Sequence, residues 1–221
     1  TLLNDAKNHF NKGNYKSSIL ICNDILKKDP NNIECLFVTS CIFLESKKFE
    51  LAVKILNKLI SLSEKNSVLH YNLALAYAGT SNFVKSENNY KLAIKYDQSS
   101  IPALVNLGNL YQQQEKYKKS IIQYNKASIL NPNDEKIYNN IGLSYFKMKL
   151  YEKSVKYYEK ALNINSQYEE AIFGLGNCYD NLGNTNQAIK FFKEVIALNP
   201  NHARAFLNLA HAQLATNDFY N

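Results

Sequence analysis

The chain reads as short amphipathic segments that break and restart at a fixed interval. Between residues 101 and 134, apolar or small side chains fall at Leu104, Leu107, Gly108 and Tyr111, then at Tyr117, Ser120, Tyr124 and Ala127. The first set has the i, i+3, i+4, i+7 spacing of one helical face and the second the i, i+3, i+7, i+10 spacing. The stretch therefore predicts two amphipathic helices, A and B, joined by a tight turn.

The pattern matches itself when shifted by 34 residues. Gly108, Gly142 and Gly176 then align, as do Tyr77, Tyr111, Tyr145 and Tyr179. So do Ala93, Ala127 and Ala161, and Tyr90, Tyr124, Tyr158 and Phe192. With Ile101 as offset 1, the repeats are 1–32, 33–66, 67–100, 101–134, 135–168 and 169–202, with a partial repeat at 203–221. The register predicts thirteen helices: six A/B pairs and a last A helix. Helix A of the first repeat is expected near Leu2 to Lys12 and helix B near Tyr15 to Lys28, with Gly13 in the turn between them. Asn32, Asn66, Ser100 and Asp134 precede A helices and are good N-caps; Tyr168 and His202, at the same place, are not. Small residues at offsets 8 and 20, such as Gly142 and Ser154, let A and B helices approach closely. The aromatics at offsets 11 and 24 then fill the space between repeats.

This pattern resembles the tetratricopeptide repeat family, whose marks include L-G-x-x-Y, Ala and Pro at fixed offsets of a 34-residue period. The resemblance covers essentially the whole chain. It implies an all-α, right-handed superhelical solenoid forming a single domain over residues 1–221, in which each repeat packs on its neighbours. Leu209 and Ala210 lie on the core face of the last A helix. That end is therefore expected to continue in a longer parent chain or to be covered by another molecule.

Chemistry changes this picture little. Catalysis needs converging acid, base or nucleophile groups, whereas the core offsets carry Leu, Tyr, Phe, Ala, Gly and Ser. Glu169 and Glu170 open a helix, where acids favour the macrodipole. Ser18, Ser86, Ser120 and Ser154 belong to the small-residue packing set. No phosphate-loop motif is present. Cys22, Cys35, Cys41 and Cys178 form no C-x-x-C pair and read as reduced thiols, and the four histidines are scattered. The expectation is a non-enzyme without metal or cofactor. The net charge of +7 rests on lysine, with Arg204 the one arginine, and reads as a solvated surface rather than a nucleic-acid site. No apolar run is long enough to span a membrane, and a cytoplasmic or nuclear location is expected.

The face that would meet a ligand follows from helix geometry. At 100° per residue, offsets 4, 7, 8 and 11 of helix A cluster on one side, and offsets 2, 6, 9 and 13 lie opposite. The resemblance implies that A helices line a concave groove. Offset 6 reads Asn4, Val38, Asn72, Asn106, Asn140, Gly174 and Asn208, and offset 9 adds Asn109 and Asn177. Offset 5 supplies Phe37, Tyr71, Val105, Asn139 and Phe173 as pocket walls. An Asn amide both donates and accepts, so a row of them suits successive backbone groups of an extended peptide. The candidate peptide-binding residues are Asn72, Asn106, Asn109, Asn139, Asn140, Asn177, Asn208, Tyr71 and Phe173. The row is similar to the asparagine ladder in the tetratricopeptide arm of O-linked N-acetylglucosamine transferases, broken here at Val38 and Gly174. The carboxylate clamp of chaperone-binding members is not matched: Asn109 and Asn140 fit, but Val105, Glu170 and Gly174 stand where cations or Asn are needed. The reading is a protein-interaction module holding an extended peptide in its groove. Its alternatives are a scaffold or self-associating segment of a larger assembly, and the substrate-recruiting arm of an enzyme whose catalytic domain lies elsewhere.

Overall fold

The computed structural model describes residues 1–63 and 65–217, Asn217 without its side chain. It divides into two units, Thr1–Leu110 and Tyr111–Asn221, taken here in turn. The first holds α1 (Leu2–Asn11), α2 (Tyr15–Lys28), α3 (Ile33–Glu45), α4 (Phe49–Leu62), α5 (Ser67–Gly79), α6 (Phe83–Tyr96) and most of α7 (Ile101–Gln113). The second holds α8 (Tyr117–Leu130), α9 (Glu135–Lys147), α10 (Tyr151–Ile164), α11 (Glu169–Asn181), α12 (Thr185–Leu198) and α13 (Ala203–Asn217). These are the thirteen helices expected, with no strand among the described residues. Odd-numbered helices are A helices, and from α3 onward each starts at offset 1 of its repeat. Each unit is a stack of A/B pairs in contact with the next pair in sequence. The fold class is the all-α helix-pair solenoid that the register implies.

The caps explain the sharp starts. Asn32 accepts a hydrogen bond from the Cys35 N–H (3.1 Å), Asn66 from Leu69 N–H (3.1 Å) and Asp134 from Lys136 N–H (3.0 Å). His202, not expected to cap, does so: its Nδ1 accepts from the Ala205 N–H at 2.9 Å. Each A-to-B turn places offset 15 in the left-handed region. Gly13 (φ 74°) and Gly183 (φ 77°) suit it, but Lys47, Ser81, Glu115 and Lys149 adopt it too, at 55–59°. The hairpin geometry overrides the local preference there.

The small residues work as expected, with a second role that residue size alone does not reveal. A Cβ on Gly142 would come within 2.8 Å of the Tyr158 ring, and one on Gly176 within 2.5 Å of Phe192. The glycines thus admit the offset-24 aromatics, which are almost wholly buried. Each such ring contributes about 1.5–3 kcal/mol through burial. The offset-20 serines are also donors. Ser18 Oγ donates to the Ala6 carbonyl (2.8 Å), Ser86 to Ala74 (2.9 Å) and Ser154 to Gly142 (2.7 Å). All three serines are fully buried, so the bond removes a desolvation penalty of about 1–3 kcal/mol per hydroxyl. Ser120 instead donates to Tyr117 and sits 2.9 Å from Ser144 Oγ.

The cysteines match the expectation of buried or half-buried thiols, and none is in a disulfide. Burial pushes Cys178 up to about 11, against a hydrogen bond from its thiol to Ser154 that acts the other way. Cys35 is also raised to about 11, by burial and then by its neighbour Cys22. Neither is an activated nucleophile. Among the described residues no group of His, Cys, Asp and Glu could hold a metal ion, and no helix is long and apolar enough to cross a membrane.

Candidate functional site

In the first unit the A-helix face carries a cavity of about 600 Å³ between α1, α3 and α5. Phe10, Ile33, Phe37, Val38, Val68 and Leu69 make its walls apolar. Lys7 of α1 and Glu34 of α3 form an ion pair at its edge. Both side chains are about half exposed, so the pair contributes at most about 1 kcal/mol but fixes the rim of the cavity. Its wall includes Val38 at offset 6 of α3, where the other repeats carry Asn or Gly. Sequence reading treated Val38 as a break in a polar row. In the structure it is part of an apolar wall.

The asparagine row is placed differently from the expectation. Offset 6 lies opposite the core offsets of its own helix, yet Asn72 is buried, 8% exposed, and Val38 6%. The reason is that offset 6 leans on the preceding repeat. Asn106 Nδ2 donates to the Tyr71 hydroxyl of the preceding A helix (2.9 Å), and Asn208 Nδ2 to Asn177 Oδ1 (2.8 Å). At Gly174 a Cβ would stand 2.4 Å from the Tyr158 ring, so that ring leaves no room for an asparagine. At Asn106 and Asn208 the row is therefore a seam between successive A helices, and its break at Gly174 is a packing requirement. An amide has two N–H groups and two lone pairs. One held by a seam bond is fixed in orientation and keeps capacity for a ligand.

In the first unit the structure brings together Tyr71, Asn106 and Asn109: Asn109 Nδ2 donates to Asn106 Oδ1 at 3.3 Å, and Asn109 itself is exposed. Tyr71 also packs on Tyr90 (ring centroids 6.1 Å apart), and burial raises its phenol pKa, opposed by the bond from Asn106. In the second unit Asn139 and Asn140 are half-buried. The Asn140 main-chain carbonyl accepts from Gln112 Nε2 (3.2 Å) and Ser144 Oγ (2.9 Å). Gln112 Nε2 also donates to Ser144 Oγ at 2.9 Å. Sequence reading missed this network. Its signal was a polar residue, Ser144, at an offset where five of the other six repeats carry Ile42, Ala76, Leu110, Cys178 and Ala212, Asn8 being the other polar one.

Phe173 is a half-buried wall rather than an open one. Its ring lies 4.7 Å from His202 and 6.0 Å from Phe192, with the Arg204 guanidinium 5.5 Å from its centroid. Glu169 accepts from Asn199 Nδ2 (2.9 Å) and faces His202 Nε2 at 3.7 Å. It is thus occupied in joining α11 to the start of α13. A further recurring contact was not expected. A lysine at offset 19 lies over the tyrosine at offset 11 in three repeats: Lys85 over Tyr77 (5.3 Å), Lys119 over Tyr111 (5.6 Å) and Lys153 over Tyr145 (5.9 Å).

Comparison with known proteins agrees with the helix-pair fold. A family described as "Tetratricopeptide repeat" matches residues 134–201, and one described as "TPR repeat" matches residues 108–149. No curated protein matches the chain. Among solved structures, a C-terminal part of a TPR repeat-containing protein from Cytophaga hutchinsonii superposes with a TM-score of 0.82 at 17% identity, over 95% of this chain and 84% of that one. MamA gives 0.70 at 25% identity, over 75% of this chain and 91% of its own. YrrB, described as a TPR protein with an unusual peptide-binding site, gives 0.71 at 14% identity, over 87% and 97%. These matches show the tetratricopeptide-repeat fold, with family models matching residues 108–201.

Proposed function

We propose that this tetratricopeptide-repeat chain is a non-catalytic module that binds an extended peptide segment of a protein partner along its A-helix face. The observation that carries this reading is the first unit's surface. There an apolar cavity of about 600 Å³ opens on the same A-helix face as the Tyr71–Asn106–Asn109 hydrogen-bonded group. An extended peptide presents both things this face can use: side chains for an apolar cavity and backbone N–H and C=O groups for fixed amides. In the second unit, Asn177 and Asn208 with Asn139 and Asn140 offer the same amide chemistry. Amides already held by neighbouring repeats lose little freedom on binding, which favours affinity.

The test is selection of peptides from a random displayed library, followed by titration against a cavity variant. Val68 lines the cavity but is 52% exposed, so Val68→Glu places a charge there without disturbing the core. Selected peptides should share an apolar residue and bind Val68→Glu at least tenfold more weakly, with an unchanged melting temperature. Peptides that bind both proteins equally would remove the cavity from the site.

A further inference from the structure

The lysines of the second unit are arranged unlike those of the first. Residues 116–160 hold ten lysines and four carboxylates, a net +6 of the chain's formal +7. Among the described residues, the lysines paired with a carboxylate are Lys7, Lys27 and Lys91, all in the first unit. On α8 and α10, Lys119, Lys126, Lys153, Lys156 and Lys160 are exposed and have no such partner among the described residues.

The register sets these lysines out as a surface. Lys119 and Lys126 on α8 occupy the same offsets as Lys153 and Lys160 on α10, and both helices pack against α9. Aromatic rings hold several of them in place. Lys119 lies over Tyr111, Lys153 over Tyr145, and Lys160 over both Tyr157 (4.9 Å) and Tyr138 (5.9 Å). Tyr145 and Tyr157 stack at 5.3 Å, so adjoining rings lie under Lys153 and Lys160. Cations held over rings have already lost much of the side-chain freedom that docking would remove.

We propose that the outer face of α8 and α10 is a second interaction surface, separate from the A-helix face, that docks an acidic polypeptide segment. Charge complementarity selects the sign of the partner. Three features favour a polypeptide over a nucleic acid. The patch is built of lysine without arginine, the residue suited to bidentate phosphate contact. Glu152 and Glu159 lie on α10 among the lysines and would repel a continuous phosphate chain. Ile122 and Ile129 on α8 are 53% and 80% exposed, offering apolar contacts to side chains and none to a phosphate backbone.

The experiment uses the whole chain and two fluorescent probes, a peptide of repeating Glu-Glu-Leu and a single-stranded oligonucleotide of equal charge. Anisotropy titrations compare wild type, K119Q/K153Q/K160Q and a control of equal charge change, K27Q/K28Q/K91Q, with helix content and melting checked for each. The proposal expects the peptide to bind at low salt, to bind the α8–α10 variant at least tenfold more weakly, and to bind the control within about twofold of wild type. Val68→Glu should leave this binding unchanged, which separates the surface from the A-helix cavity. Absence of peptide binding, equal losses in both triple variants, loss in Val68→Glu, or tighter binding of the oligonucleotide would each overturn it.

Discussion

Tyr158 shows how much one residue can fix. Its ring lies against Gly142 on α9 and Gly174 on α11, where added Cβ atoms would stand 2.8 and 2.4 Å away. Ala is a better helix former than Gly by about 1 kcal/mol, yet overpacking a closed core costs about 1–3 kcal/mol. Gly142→Ala is therefore expected to destabilise the protein, and Tyr158→Leu in the same chain should relieve part of the loss in urea melts. The turn residues predict the opposite sign. Glu115 holds φ 58° without being glycine, a conformation that costs a side-chain-bearing residue about 1–2 kcal/mol. Glycine's extra freedom in the unfolded chain returns about 0.4–1 kcal/mol of that, so Glu115→Gly should raise the urea midpoint slightly. The buried thiols set a pH limit. Cys178 has its folded pKa raised from 9.0 to about 11 by burial. Its stabilising share is thus complete below pH 9 and lost as pH rises through 9 to 11, because the unfolded thiol ionises first. Urea midpoints should be level from pH 7 to pH 8.5 and fall above 9, less steeply in Cys178→Ala. Among these residues, Gly142 and Gly176 were legible from the sequence as close-packing positions. The left-handed turn residues were legible only at Gly13 and Gly183, because Lys, Ser and Glu carry no sign of that conformation.

At the scale of the element, helix boundaries were the most legible feature, since cap, period and breaker all agree on them. Asn32, Asn66 and Asp134 cap as their chemistry requires. His202 shows where the reading stopped. A neutral imidazole nitrogen can accept as a carboxamide oxygen does, but only the folded geometry shows Nδ1 aimed at Ala205. His202→Ala should cost about 0.5–2 kcal/mol, and His202→Asn should keep most of it; both can be read from chemical melts. The candidate site was legible as a set of residues and less so as a surface. Facing solvent was inferred from one helix considered alone. A neighbouring repeat claims offset 6 through Tyr71, Asn177 and Tyr158, a contact between repeats that single-helix geometry does not contain. The same limit hid the apolar cavity, which needs α1, α3 and α5 together. The α13 helix packs on α12, and Phe206, Leu207 and Leu214 are 47–62% exposed. Its amides should therefore exchange hydrogen faster than those of α9 or α11, which have A/B neighbours on both sides.

At the scale of the molecule, the division of labour is between faces. The first unit has an apolar cavity and amides fixed by neighbouring repeats on its A-helix side, and the second has exposed lysines of α10 held over tyrosine rings. The central claim is that a peptide lies along the A helices, and hydrogen–deuterium exchange with a library-selected peptide tests it most directly. The account predicts slowed exchange confined to A helices, led by α3 and α5 in the first unit, and lost when Val68→Glu is used at the same peptide concentration. Slowed exchange on B helices alone, or the same A-helix footprint in Val68→Glu, would contradict it.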